Sequence, residues 1–167
     1  MSIVILMAEP VSPASFGALY QRHSREVYRF ALALTGDEPL AEDLTAEAFL
    51  RVWESGSRID WMTVRAYLLA IVRNLHHNEW RRARRRVEMP DQIAAPASDP
   101  DAKIELLRVL EALRLLPQLD RETLVLRAEG GLSYEEIAAL VGGTAEAARV
   151  RAHRARKKLT EELCRKT

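Results

Sequence analysis

The sequence predicts an all-α protein of two small helical domains joined by a flexible linker, with a helix-turn-helix in the C-terminal domain. Apolar residues recur at helical spacing along almost all of the 167 residues, and signals for strands are nearly absent. A content of 48 % hydrophobic and 29 % charged residues is typical of a folded chain. One proline-rich stretch breaks the helical pattern, so we place the two domains at residues 12–88 and 101–165.

Three helices are predicted for the first domain. They run from Pro13 to Leu34, from Asp37 to Glu54 and from Met62 to Arg86. The first is expected to end at Gly36, because glycine readily adopts the left-handed conformation that closes a helix. On the third helix, four apolar residues share one face that should be buried: Val64, Leu68, Ile71 and Leu75.

The linker and the second domain follow. Residues 89–100 hold three prolines and no helical stripe, which indicates a flexible connection. Four helices are then predicted, from Asp101 to Leu116, Asp120 to Glu129, Ser133 to Val141 and Thr144 to about Leu163.

The last two of these helices have the helix-turn-helix pattern. Ser133 and Glu136 have the spacing of a capping box, in which each side chain binds the other residue's backbone N–H. Gly142 and Gly143 provide a tight turn, and Thr144 can cap the next helix. Two short helices joined in this way, with a basic second helix, are typical of proteins that bind the major groove.

The final helix divides into two faces when it is drawn at 100° per residue. Its inner face consists of small or apolar residues: Ala148, Ala152, Ala155, Leu159 and Leu163. Its outer face carries charged groups and one apolar side chain, which are candidates for contacts to base edges: Glu146, Arg149, Val150, His153, Arg154 and Lys157. Thr144, at the start of the helix, is a further candidate for a DNA contact. The alternative interpretation is an amphipathic helix whose basic face is only solvated.

The third helix combines aromatic and basic residues opposite its apolar stripe. That face holds Leu69, Arg73, His77, Trp80 and Arg84, and an adjacent row holds Tyr67, Asn74, Arg81 and Arg85. Arginines neutralise phosphates and flat rings stack on unpaired bases, so the face is suited to opened DNA. Trp61 precedes the helix and is a candidate either for a core residue or for a base wedge. Alternatively, Tyr67 and Trp80 complete the core against the first helix.

The second helix has an acidic outer face. Leu40, Leu44, Ala48, Phe49 and Val52 form its buried side. The outward side consists of four residues that are four, three and four positions apart in the sequence: Asp43, Glu47, Leu50 and Glu54. Negative charge disfavours DNA but can steer a protein partner, with Leu50 as an apolar anchor. A merely solvated face is the alternative.

Charge and composition exclude several classes of protein. The net charge is only +1, but the runs RRARRR (81–86) and RVRAHRARKK (149–158) form two local basic surfaces. Cys164 is the only cysteine and no apolar run is long enough to span a membrane, so we expect a cytoplasmic chain. We find no nucleophile constellation, phosphate-binding loop or metal-ligand spacing, which predicts no enzyme activity and no cofactor. Adjacent His76 and His77 point about 100° apart on a helix and make a poor metal site.

Three segments, in this order, resemble the sigma-70 family of RNA polymerase factors, and specifically its extracytoplasmic-function (ECF) group. They are LAEDLTAEAFLRVW at 40–53, YLLAIVRNL at 67–75 before the arginine run, and LSYEEIA at 132–138 with HRARKKL at 153–159. The resemblance covers nearly all of the chain after about Phe16. Each segment alone is moderately specific, and together across a proline-rich linker they are a strong signature.

The resemblance implies a role in starting transcription at promoters. The acidic helix would bind the clamp helices of the largest subunit of core RNA polymerase. The third helix would melt and read the minus-ten promoter element, with Asn74 near a flipped base, and the helix-turn-helix would read the minus-thirty-five element. An anti-sigma protein often holds such a factor inactive, and free factors bind promoters poorly.

The chain also departs from the family pattern. Gly143 replaces a bulky aliphatic residue of the turn, and Ala148 and Ala152 replace larger aliphatic residues, which predicts a less stable second domain. Val150 stands where a small hydroxyl residue is common, which predicts an altered base preference. The competing hypothesis is a stand-alone helix-turn-helix transcriptional regulator with a ligand-sensing first domain, but it leaves the acidic face and the arginine-aromatic helix unexplained.

Overall fold

The computed structural model describes residues 9–10, 12–55, 58–59, 63–86 and 100–165. In these ranges seven helices form: α1 (Pro13–Thr35), α2 (Glu38–Glu54), α3 (Val64–Arg86), α4 (Pro100–Arg114), α5 (Gln118–Ala128), α6 (Tyr134–Val141) and α7 (Ala145–Arg165). The all-α fold class is confirmed, and each predicted helix is present to within about two residues at its ends. Two very short strands were not predicted: β1 (Glu9–Pro10) and β2 (Arg58–Ile59) pair antiparallel, with Glu9 opposite Ile59.

Local hydrogen bonds explain where several helices begin and end. The Asp37 side chain accepts a hydrogen bond from the backbone N–H of Leu40 at 2.8 Å and so caps α2. The predicted capping box before α6 is confirmed, since Ser133 and Glu136 bind each other's backbone N–H groups at 3.1 and 2.7 Å. Gly36 ends α1 at φ +67°, a conformation that a side chain would disfavour.

The first three helices enclose an apolar core. Phe30 of α1, Phe49 of α2 and Leu68 of α3 are all fully buried within it. At its edge, Phe16 stacks edge-on with Trp53 at a centroid distance of 5.2 Å. The predicted stripe of α3 is buried as expected, so the register of this helix follows its apolar spacing.

The helix-turn-helix packs α7 against α5 and α6. The three alanines of the predicted inner face, Ala148, Ala152 and Ala155, are buried, which confirms this part of the interpretation. Ile137 of α6 is fully buried beside them. The small alanine side chains allow the α7 backbone to lie close to its neighbours, and the basic side of α7 is left facing outward.

The two halves of the chain pack against each other. Helix α1 contacts both α4 and α5, and the buried apolar side chains of the two halves form one continuous cluster. Leu69, which the helical wheel placed on the outer face of α3, is fully buried. That expectation was wrong because Gly130 of the second half covers this position so closely that an added Cβ would lie 2.7 Å from a Leu69 methyl.

The predicted domain boundaries remain a prediction, and residues 89–99 of the proposed linker lie outside the described part of the chain. Among the described helices, none combines the length and the apolar character that crossing a membrane requires.

Candidate nucleic-acid and protein interfaces

The outward face of α7 presents most of the side chains predicted to read duplex DNA. Val150 is 54 % exposed at its centre. The charged residues around it are also exposed: Glu146, Arg149, His153, Arg154 and Lys157. The Arg149 guanidinium lies 3.6 Å from the Glu146 carboxylate, and both side chains are mostly exposed to water. Their attraction is therefore weak, and the guanidinium remains available for contacts to DNA. These side chains form one continuous cationic ridge with an apolar centre.

Other contacts fix this ridge on its scaffold. Thr144 serves as the cap of α7, since its hydroxyl accepts a hydrogen bond from the N–H of Ala147 at 3.1 Å. Arg151 points inward and lies 3.6 Å from Asp120 of α5. The Arg127 guanidinium lies 4.9 Å from the centre of the Tyr134 ring and joins α5 to the start of α6. The Thr144 cap, which is also a predicted DNA contact, and the Arg151 ion pair therefore help to hold α7 in this orientation.

Helix α3 exposes only part of its predicted DNA face. Tyr67 is half exposed, Trp80 is 43 % exposed, and Asn74 and Arg81 are also accessible. Trp61 and the side chains of Arg84 and Arg85 lie outside the described residues. The accessible groups lie on two adjacent rows of the helix, with Trp80 on one and Tyr67, Asn74 and Arg81 on the other, and aromatic rings of this kind can stack on unpaired bases.

Arg73 and His77 are placed differently from the expectation. The side chain of Arg73 is only 14 % exposed and donates hydrogen bonds to Oε2 of Glu122 at 2.7 Å and to the carbonyl of Leu140 at 3.0 Å. Nε2 of His77 lies 2.5 Å from Oε1 of Glu122. The helical wheel was wrong about their exposure, because the second half of the chain covers the face of α3 from which they project. Their role in DNA binding stays a prediction that requires this face to be uncovered.

Glu122 is the residue of this region that sequence reasoning missed. It is 1 % exposed, and its carboxylate accepts hydrogen bonds from Arg73, His77 and Gln118, the last at 2.9 Å. Burial by itself would raise the pKa of Glu122, but the hydrogen bonds from His77 and Arg73 outweigh it and hold the pKa below its ordinary value. The buried carboxylate is therefore charged at neutral pH. In the sequence it is one more acid in the first turns of a helix, so no local signal marks it.

A small cavity lies between α3 and α5 beside this cluster. It measures about 300 Å³ and is lined by side chains of α3 and by Gln118, Leu119 and Glu122 of α5. Trp80 and Arg81 line its α3 wall next to His77. The cavity therefore lies at the boundary between the exposed residues of the α3 face, Trp80 and Arg81, and the covered residues Arg73 and His77.

The acidic face of α2 borders an open groove. Asp43, Leu50 and Glu54 are exposed, and Glu47 is partly exposed and bonded to Arg51 at 2.8 Å. The groove measures about 900 Å³ and is closed on its far side by Asn78, Glu79 and Arg82 of α3. Apolar side chains of Leu40, Leu44 and Leu75 contribute to its lining. An apolar groove with acidic and basic edges suits a protein helix better than a phosphate backbone.

The histidine pair of α3 has no geometry for binding a metal. His76 is 7 % exposed, whereas His77 reaches Glu122, and the two ring centres lie 6.3 Å apart. Burial lowers the pKa of His76 to about 4, with a further contribution from the nearby charge of Arg121. Across the described ranges, no group of three or more His, Cys, Asp or Glu residues is arranged to hold a metal ion.

Comparison with known families accounts for both halves of the chain. The family model of Sigma-70 region 2 matches residues 19–86, and that of Sigma-70, region 4 matches residues 106–159. The chain belongs to the sigma-70 family. Sigma factors are DNA-binding factors of transcription initiation rather than enzymes.

Curated relatives place this sigma factor in the ECF group. It is 36 % identical to the ECF sigma factor EcfG of Rhodopseudomonas palustris over 80 % of this chain and 77 % of the relative. It is 37 % identical to CarQ of Myxococcus xanthus, an RNA polymerase sigma factor, over 89 % of each. With SigE of Mycolicibacterium smegmatis the identity is 36 %, and the match spans 90 % of this chain but 62 % of that longer relative.

Solved structures of similar fold include another sigma factor. RpoE of Bartonella quintana, solved in complex with the anti-sigma factor NepR, superposes with a TM-score of 0.74 and 25 % identity. That match covers 89 % of this chain and 96 % of the other. CnrH, solved with the cytosolic domain of CnrY, gives a TM-score of 0.71 at 27 % identity. This match covers 93 % of the present chain and 92 % of CnrH. Both matches extend over the two halves of this sigma factor.

Proposed function

We propose that this ECF sigma factor divides initiation among three helices: α2 binds core RNA polymerase, α3 binds opened minus-ten DNA, and α7 reads the minus-thirty-five duplex. The observation that carries the proposal is the exposed cationic ridge of α7, which a helix-turn-helix turn and an alanine-lined inner face direct outward. An α-helix fits the major groove, where arginine binds guanine and an apolar group such as Val150 contacts a thymine methyl.

The groove beside α2 supports polymerase docking. Its acidic edge would attract a basic partner surface, and the exposed Leu50 would be buried on binding. The proposed occupants are the clamp helices of the largest polymerase subunit. Because the groove is lined by residues of α2 and α3 whereas the ridge belongs to α7, protein and DNA would bind different surfaces.

The aromatic and basic groups of α3 support binding of single-stranded DNA. Tyr67, Trp80 and Arg81 are accessible as the chain stands, and Arg73 and His77 would join them once α5 moves away. Stacking of each base on an aromatic side chain contributes roughly 1–3 kcal/mol. Phosphate contacts would add a term that falls steeply with salt.

We propose further that the factor acts in the cytoplasm, has no catalytic activity of its own and is held inactive by an anti-sigma protein. The support for such a partner is the similarity over both halves to RpoE and CnrH, whose structures contain NepR and CnrY.

Run-off transcription with core polymerase tests the main proposal. Promoter fragments selected by the assembled holoenzyme should yield a transcript only when the factor is added. The double variant Arg149→Ala, Arg154→Ala should lose at least about tenfold of this transcript, since each base-edge contact is worth about 1–3 kcal/mol, and should still bind polymerase. The matched control is Lys158→Ala, Arg165→Ala, which removes two cations of α7 outside the predicted ridge. Equal loss in both variants would contradict the assignment of the ridge to the upstream element. A factor that binds duplex operators without polymerase would favour a stand-alone regulator.

Charge reversal tests the docking helix. Asp43→Lys with Glu47→Lys should weaken binding to core polymerase by about tenfold or more, because steering charges become repulsive. Reversing the exposed acids Glu135 and Glu161 of the second half changes net charge equally and should have little effect. If polymerase captures both variants with wild-type affinity, the docking assignment is wrong.

A further inference from the structure

We propose that Glu122 is an intramolecular competitor of minus-ten DNA: its buried carboxylate occupies the donors of Arg73 and His77 that a DNA phosphate would otherwise take. The inference rests on the proposed function of α3. It adds a residue of the second half to the control of DNA binding by the first half.

The hydrogen bonds of Glu122 are those of a bound anion. Its Oε2 accepts from Nε of Arg73 at 2.7 Å, and its Oε1 is bonded to His77 at 2.5 Å and to the amide of Gln118 at 2.9 Å. The N–H groups of a guanidinium or an imidazole ring bind carboxylates and phosphates through the same donors. While Glu122 is in place, these donors are not available to DNA.

The surrounding contacts exclude DNA as well. Arg73 also donates to the carbonyl of Leu140, so both α5 and the end of α6 lie over it. Leu69, one turn earlier, is buried against Gly130, and Arg65 at the start of α3 donates to the carbonyl of that glycine. A strand could reach Trp80 and Arg81 at the rim of the cavity, but Arg73 and His77 only after the two halves separate.

The energetics suit a reversible contact. A buried ion pair gives little net stability, because the loss of hydration offsets most of the attraction. Removing one partner has a large effect, since the remaining charges are then buried without compensation. The apparent affinity of the free factor for DNA is the affinity of the open form multiplied by the fraction of molecules that are open, so weakening the closed state should strengthen binding.

Two measurements on the full chain test the inference. The first is the affinity of the free factor for a short fluorescein-labelled oligo-dT single strand. The second is the distance between spin labels on Cys164 and on a cysteine introduced at the exposed Ala46 of α2. Glu122→Gln removes the charge, and Glu122→Asp keeps it on a side chain too short to reach both Arg73 and His77. Both variants should lengthen the label distance and bind the oligonucleotide about tenfold or more tightly.

Glu129→Gln is the matched control. Glu129 forms another ion pair between the halves, with Arg29 at 2.7 Å, but this pair is more exposed than the Glu122 cluster and touches no predicted DNA contact. The control should change neither measurement appreciably. Unchanged label distance and affinity in both Glu122 variants would overturn the inference, and so would separation of the halves without a gain in affinity. Factor-dependent run-off transcription, measured in parallel, shows whether the proposed function itself holds, so the two failures are distinguishable.

Discussion

Buried His76 makes the stability of this sigma factor dependent on pH. Its side chain lies in α3 under the second half of the chain, and its Nδ1 has no hydrogen-bond partner. The charged or titratable groups that act on it are Arg121 and Glu122 of α5 and the neighbouring His77. Burial lowers the pKa of His76 from its ordinary 6.5 to about 4, with a smaller contribution from Arg121. The folded protein therefore holds this histidine neutral at a pH where the unfolded chain protonates it.

The sign and size of the effect follow from proton linkage. Below about pH 6.5 the unfolded chain binds a proton that the folded chain does not, so stability is lost as the pH falls towards 4. At about 1.4 kcal/mol for each pKa unit, the full loss is about 3 kcal/mol, of which about 2 kcal/mol is reached near pH 5. Substitution by glutamine keeps a polar side chain and removes the titration, so His76→Gln should lose about 2 kcal/mol less than wild type over this interval.

Urea unfolding followed by circular dichroism near pH 7 and near pH 5 measures the difference directly. The quantity compared is the change in unfolding free energy with pH, so a uniform destabilisation of the variant does not affect the result. His23 is also buried and its pKa is lowered, chiefly by burial, so part of the acid sensitivity should remain in the variant. His153→Gln removes an exposed histidine and serves as the control. Equal losses of free energy in wild type and His76→Gln would refute the reasoning.

Three further predictions concern capping, packing and base preference. Ser133→Ala removes the side-chain cap of α6 and should lower the unfolding free energy by about 1 kcal/mol. The control Glu135→Ala replaces an exposed side chain that takes no part in the capping box, and it should change the unfolding free energy little. Phe30→Ala leaves a cavity at a fully buried site and should cost about 3–5 kcal/mol in the same measurement, against a smaller loss for Phe30→Leu. Val150→Ser should change the preferred base at one position of the upstream element in a promoter-library selection, and a change at every position would contradict a direct base contact.

Features that depend on short-range spacing were predictable from the sequence. The capping box of Ser133 and Glu136 and the buried alanine face of α7 both follow from residues three or four positions apart, and both are confirmed. The same is true of the apolar stripe of α3. In each case a single helix contains all the information, because side chains along a helix repeat at a fixed angle.

Contacts between distant segments were not predictable in this way. The wheel of α3 placed Leu69, Arg73 and His77 on a free face, because a wheel shows which side chains share a face and not what covers it. Glu122 lies 49 positions from its partner Arg73, and nothing around it in the sequence distinguishes it from a solvated acid. Such a pairing becomes visible only when α5 is placed against α3.

The sequence by itself determined the helices, their caps, the family and the sign of charge on each candidate surface. These properties depend on local hydrogen bonding and on the periodicity of side chains along a single helix. Only the tertiary structure decided which charged groups are accessible: Arg149 faces water, whereas Arg73 is neutralised by a buried carboxylate from the other half of the chain. Accessibility depends on how the two halves pack, and that packing is a sum of contacts between residues far apart in the sequence.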